Sequence, residues 1–493
     1  MERASGILLH PTSLPGRYGI GTLGRECMEF IDFLVRAKQK YWQILPLGPT
    51  GYADSPYQCF SSFAGNPLLI DLDLLVQDKL LKSSDLLPMQ HFGDGPVDYG
   101  KVIMLKYPLL KKAATNFLAY EPDEGKQAFN DFVEKNKDWL DDYALFMTLK
   151  AHFGQKPWHQ WEKGIKERNP ADLEAYRTSL QDEILFHQFV QFLFFRQWAR
   201  IKEYANRHNI SIIGDIPLYV AMDSADTWTH PELFEFDKEL NPIAVGGVPP
   251  DYFSETGQLW GNPLFKWAYH KKTGYAWWIN RIRKNLVLYD VIRIDHFRGF
   301  AAYWSVPFGE TTAINGKWIT GPGKDLFKAI SKALGEVPII AEDLGVITED
   351  VEDLRDSFGL PGMKILQFAF DSSEENDYLP HNYPKNCIVY TGTHDNDTVR
   401  GWFEKAKHDD RQYVLDYLHA CDPDIEKEFI RAAFASVACT AIIPMQDLLG
   451  LGSEARMNLP GTTRDNWQWR MKHGQATVAV AEELAKMTKL YAR

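Results

Sequence analysis

Val291-Ile-Arg-Ile-Asp-His-Phe297, followed by Arg298 and Gly299, is the stretch whose reading decides the fold. Its first four residues are extended and mostly apolar, as a buried strand requires, and the run then breaks into a carboxylate, an imidazole and an aromatic ring. Polar groups at that point stand where a strand leaves the core, which in an α/β barrel is the catalytic face. Side chains two apart on a strand leave the same face, so Arg293 and Asp295 are predicted to lie side by side. A buried Arg⁺ there would keep Asp295 ionised, as a nucleophile requires. The plainer alternative is a structural ion pair at a strand end.

Outward from this stretch, seven more short apolar runs alternate with helical segments. Residues 6–9, 41–47 and 210–220 precede it, and residues 337–341, 363–369, 387–392 and 440–445 follow. Eight strands alternating with helices predict an α/β protein, a (β/α)₈ TIM barrel spanning residues 1–493 as one catalytic unit. Two large insertions are expected, after strands two and three. Residues 72–183 carry long amphipathic helices rich in Lys, Asp and Glu, a helical subdomain with solvated faces. Residues 223–285 mix Gly, Pro and aromatic residues, as an ordered but movable loop-rich subdomain over the site would.

Composition narrows the partners. A net charge of −12 argues against nucleic acid or an anionic membrane, which both need a basic face. The 15 Trp and 22 Tyr residues are mostly core, but a surplus of such rings also suits the C–H faces of sugars. Five scattered cysteines, Cys27, Cys59, Cys387, Cys421 and Cys439, form no C-x-x-C pair, so a reducing compartment is expected. No run approaches the roughly 18 apolar residues of a membrane span. With no signal-peptide pattern, the chain reads as cytoplasmic, or as a plastid protein whose transit peptide has been removed.

Asp295, Glu342 and Asp395 are read as acids at matching strand ends, and Asp215 ends strand three. Crowded carboxylates repel, so four on one face need a chemical reason. Breaking a glycosidic bond with retention supplies one: an ionised nucleophile and a protonated acid about 5–5.5 Å apart. Asp295 beside Arg293 suits the first role. Glu342, raised by burial and by Asp343, suits the second. Asp395, with His296 and His394, is placed to bind sugar hydroxyls. His10, Asp295, His296, His394 and Asp395 are also metal-ligand types, a reading that Arg293 opposes.

Gly214-Asp-Ile-Pro217, Arg293-Ile-Asp-His296, Ala341-Glu-Asp-Leu-Gly345 and Thr393-His-Asp-Asn396 resemble the ordered motifs of the α-amylase clan. Ser55-Pro-Tyr-Gln58, Phe63-Ala-Gly-Asn-Pro67, Gly247-Val-Pro-Pro-Asp-Tyr-Phe253, Gly257-Gln-Leu-Trp-Gly-Asn-Pro263 and Asn458-Leu-Pro-Gly461 are similar to the amylomaltase, or 4-α-glucanotransferase, family, from about residue 5 onward. The resemblance implies that Asp295 attacks the anomeric carbon of an α-1,4-glucan while Glu342 protonates the leaving oxygen. The 4-hydroxyl of an acceptor then opens the ester, with Glu342 as base. It implies Asp395 as transition-state stabiliser, Arg293, His394 and Asp215 around the same sugar, and Tyr57, Asp251, Tyr252, Phe253, Trp260 and Asn458 along the cleft. Implied with these are α-1,4-glucans and maltooligosaccharides as partners, disproportionation and cyclic-glucan formation as outcomes, no metal or other cofactor, and a monomer or weak homo-oligomer. The chain stops soon after strand eight, so the C-terminal β-sandwich common in α-amylases is not expected; an α-amylase-type hydrolase is the alternative activity. The loop 246–261 is expected to cover the site and exclude water, with Tyr252 and Phe253 as a stacking surface.

Overall fold

Apolar runs that sequence alone marks as buried become one parallel sheet in the computed structural model, which describes residues 2–90, 92–250, 254–371 and 375–493. Its strands are β1 (Ala4–Leu8), β2 (Tyr41–Gln43), β3 (Ser211–Pro217), β4 (Val291–Asp295), β5 (Ile339–Ala341), β6 (Gly362–Ile365), β7 (Cys387–Tyr390) and β8 (Thr440–Pro444). Their order is β6-β7-β8-β1-β2-β3-β4-β5, with every pairing parallel. Between the two ends, the Ala341 N–H donates to the Pro361 carbonyl at 2.9 Å, so the sheet comes round on itself. The result is a nearly closed eight-stranded barrel, the TIM architecture.

Both faces of such a sheet are covered, which is why the strands read as continuous Ile, Val and Ala. Ile292, Ile294, Ile340, Ala341, Ile388 and Val389 are almost wholly inaccessible. Several strands stop earlier than their apolar runs. β2 ends at Gln43, because Pro46 has no N–H to extend a ladder and residues 44–47 stay buried as the chain leaves the barrel. β6 passes into a 3₁₀ turn, Leu366–Ala369.

Between β2 and β3 the chain forms helices Leu72–Gln77, Tyr99–Tyr120, Asp123–His152 and Pro170–Ser179 before the long helix Gln181–Arg207 returns to the barrel. Phe117 and Phe189 meet at 4.7 Å between these helices. Lys150 pairs with Asp223 at 2.5 Å, and the Trp158 indole donates to the Met222 carbonyl, tying this region to the end of β3.

A second sheet is not predicted from sequence. Strands Gln258–Pro263, Ala244–Val248, Ala302–Pro307 and Lys317–Thr320 pair antiparallel in that order. Gly246, Gly247 and Pro263 dilute the β-signal of the first two, and the partner hairpin lies beyond β4 in the chain. None of the helices among the described residues is long and apolar enough to cross a membrane.

Candidate active site

The register pairs Ile294 of β4 with Ala341 of β5, so Asp295 and Glu342 emerge side by side. Neighbouring strands lie about 4.8 Å apart, which sets the scale of their separation. At His296 the backbone turns into the left-handed region (φ 54°), which aims its N–H at Glu342 Oε2, 2.6 Å away. The Leu344 N–H donates to Oε1 at 2.9 Å. Main chain thus holds both oxygens of Glu342.

Arg293 is 3% exposed, and its Nη1 lies 2.5 Å from Asp215 Oδ2 and 3.1 Å from Asp295 Oδ1. Register explains this too, since Asp215 faces Arg293 across β3 and β4. The Tyr57 hydroxyl donates to Asp215 Oδ2 at 2.8 Å, and its ring stacks on His394 at 5.1 Å. Trp260 meets the His296 ring edge-on at 4.7 Å.

Matching strand ends are not what the structure shows. Asp295 is the last residue of β4 and Glu342 follows β5 directly, but Asp215 lies inside β3 and Asp395 comes five residues after β7. β7 stops at Tyr390 because the chain turns there, with Asn396 Oδ1 accepting the Thr393 N–H at 2.8 Å. Asp395 is held instead by side chains from far along the sequence. The Asn458 amide donates to its Oδ1 at 2.6 Å, Arg456 Nη2 donates to its main-chain carbonyl at 2.6 Å, and His394 Nε2 stands 3.5 Å from Oδ2.

Burial pushes Asp295 well above the ordinary carboxylate range; Arg293 opposes this, while Glu342, Asp215 and Asp395 add to it. Burial also raises Glu342, against Arg293 and its two backbone donors. Arg293 thus favours the ionised form of Asp295, as the sequence predicts, while burial and three other acids act against it. Burial, helped by Arg298, lowers His296 to about 3, and burial lowers His394 as well, so both rings are neutral near pH 7.

The residues brought together are Tyr57, Asp215, Arg293, Asp295, His296, Glu342, His394, Asp395 and Asn458, with Trp260 against His296. Asp251, Tyr252 and Phe253 lie outside the described residues. Among the described residues, no group of three or more His, Cys, Asp or Glu is arranged to hold a metal ion.

The family model Glyco_hydro_77, described as 4-alpha-glucanotransferase, matches residues 9–477. The chain belongs to this family. It is 53% identical to the 4-alpha-glucanotransferase of Synechocystis sp., over 100% of this chain and 98% of that one. With the 4-alpha-glucanotransferase of Clostridium butyricum it shares 50% identity, over 98% of this chain and 100% of the relative. The solved amylomaltase from Streptococcus agalactiae, in complex with acarbose, superposes with a TM-score of 0.97 at 44% identity, over the whole of both chains. The chain is accordingly an enzyme, a glycosyltransferase of the 4-α-glucanotransferase class.

In this 4-α-glucanotransferase fold, several supports of the site escape sequence reading. Trp467 lies 5.8 Å from the Tyr57 ring and 5.9 Å from that of His394. Asp447, 2% exposed, accepts from Thr391 Oγ1 and from the Val399 N–H, bracketing the turn that carries His394 and Asp395. Neither stands in a motif with a chemical pattern. Arg456 lies two residues before Asn458, just outside the Asn458–Gly461 motif.

Proposed function

We propose that the enzyme cleaves an α-1,4-glucan with retention through a glucosyl ester on Asp295, and passes the glucosyl segment to the 4-hydroxyl of an acceptor glucan. The observation that carries this reading is the pair Asp295 and Glu342 on adjacent, register-matched strands, which suits the short carboxyl separation of a retaining enzyme, about 5–5.5 Å. An Asp295 oxygen forms the bond to C1 as the C1–O4 bond breaks, and Glu342 gives its proton to the departing O4. In the second half, Glu342 takes the proton of the acceptor 4-hydroxyl while that oxygen displaces Asp295 from C1.

Electrostatics support the same roles. Burial raises Glu342 above its ordinary value, the direction a general acid needs. The positive charge that grows on the sugar ring meets the Asp295 carboxylate and the acids beside it, an attraction that strengthens in the transition state. Asp395, held by Asn458, is assigned to ring distortion and hydroxyl binding, with His394, His296, Tyr57, Asp215 and Arg293 shaping the same sugar's pocket. Trp260 and residues 251–253 are assigned to the cleft beyond it. Residues 72–183 and 223–285 are read as insertions on the barrel, the second covering the site and favouring transfer over water attack.

Incubation with maltotriose tests this. Longer maltooligosaccharides appearing beside glucose, new linkages in the α configuration, and cyclic glucans from long amylose are the expected products. Glucose and maltose alone would assign an α-amylase-type hydrolase, and β-anomers would exclude the ester.

A further inference from the structure

The barrel has a seam. β5 and β6 are the two ends of the sheet, and Glu342 stands at the mouth of that seam. Elsewhere the strands are joined by ladders of main-chain hydrogen bonds. Here the main-chain bond from Ala341 to the Pro361 carbonyl is joined by a side chain: Asp343, the second residue after β5 and 7% exposed, reaches across, and its Oδ1 accepts the Met363 N–H of β6 at 2.7 Å. Its other oxygen, Oδ2, accepts from Arg355 Nη1 at 2.6 Å, in the helix Glu349–Ser357 that follows β5. Gly362 leaves room for this, since a Cβ there would lie 2.2 Å from Asp343 Oδ2.

We propose that Asp343 and Arg355 are positioning residues for Glu342: the Asp343 carboxylate adds a side-chain rung beside the Ala341–Pro361 bond of the β5–β6 seam, and the balance of its charge against Arg355 sets the field at the neighbouring acid. This rests on the reading of Glu342 as acid and base. Asp343 is bonded to the main chain one residue from Glu342, so a shift of the seam displaces Glu342 against Asp295. Its negative charge also disfavours ionisation of Glu342, with Arg355 as the counterweight.

Other charges face the same place. Arg293, Asp295 and the neutral His296 approach Glu342 from β4 and the turn after it. Tyr378 faces both Glu342 and Asp343, Lys364 of β6 lies 5.1 Å from the Tyr378 ring, and Cys387 of β7 is near Asp343. Asp356 shares Arg355 at 2.7 Å. Asp343 and Arg355 can be exchanged here without replacing the acid pair or its donors.

The test is the pH profile of kcat/KM for maltotriose disproportionation, whose alkaline limb reports the group that must be protonated. Asp343→Asn removes a like charge and leaves Arg355 facing an amide, so the limb moves to lower pH by about half a unit or more. Arg355→Gln leaves Asp343 unbalanced, so the limb moves to higher pH. A merely structural role lowers the rate and moves neither limb. An unmoved limb in either folded variant, or movement of both in the same direction, overturns the proposal. If Asp343→Asn does not fold, Arg355→Gln decides alone. Glu342→Gln separates the two readings: full transfer in that variant overturns the role of Glu342 itself, whereas its inactivity beside unmoved limbs overturns only this proposal.

Discussion

Glu342 and Asp395 face the same pocket, yet they are held by different kinds of structure. Glu342 follows a barrel strand directly, and two backbone N–H groups of adjacent turns hold its oxygens. Asp395 sits five residues beyond β7, 45% exposed at its side chain, and depends on Asn458 and Arg456 from about sixty residues further along the chain. The first arrangement follows from strand register, which cannot shift by one residue without turning the buried set outward. The second is a set of side-chain bonds that can be removed one at a time. A barrel mouth can therefore hold its reacting pair rigidly and its supporting acid adjustably.

The largest effect is expected where the comparison is most exposed. Glu342→Gln and Asp295→Asn should each lower maltotriose transfer by about 10³-fold or more. Asp295→Asn should not lower the thermal midpoint, because it relieves crowding among buried carboxyls, whereas Glu342→Gln sets an NH2 against one of two backbone donors and should lower it modestly. Residual activity above that range in both would place the chemistry elsewhere. Asn458→Ala should cost less, roughly tenfold to a hundredfold in kcat/KM, the scale of a lost hydrogen bond to a charged group. A loss as deep as that of Glu342→Gln would erase the distinction between the two regions.

Tyr57→Phe sharpens it further. The stacking on His394 stays and only the bond to Asp215 goes, so a loss of about tenfold or less is expected in the same assay. The smallest effect separates site from scaffold. His187, 8% exposed in the helix Gln181–Arg207, is lowered to about 3 chiefly by burial. Below its ordinary value near 6.5 the unfolded chain takes up a proton that the folded chain refuses, so stability falls as pH drops towards 3. Between pH 7 and 5 that loss is about 2 kcal/mol. His187→Leu should flatten the fall in thermal midpoint over that interval and leave the transfer rate at pH 7 unchanged.

Much of this was legible in the chain. The mostly apolar runs at 291–294, 339–341 and 440–444 declare buried strands because burial on both faces leaves few polar positions, here Arg293 and Thr440. Asp295 and Glu342 are visible as the places where such runs break. The strands at 244–248 and 258–263 are not, because glycine and proline blur them and the first also pairs with 302–307, on the far side of β4. Nor does any local pattern tell that Trp467 and Asp447 support the turn carrying His394 and Asp395, since what recommends them is position, not chemistry.

What the amino-acid sequence determined by itself is the set of barrel strands, their alternation with helices, and the identity of the acids at the mouth, for these follow from periodicity within a few residues of each site. Tertiary structure alone decided how Asp395 is anchored, how the antiparallel sheet assembles from strands on either side of β4 in the chain, and which groups crowd the buried carboxyls. Those depend on groups distant in the chain meeting in a low-dielectric pocket, where burial and several charges act on Asp295 beside the single arginine that sequence places there.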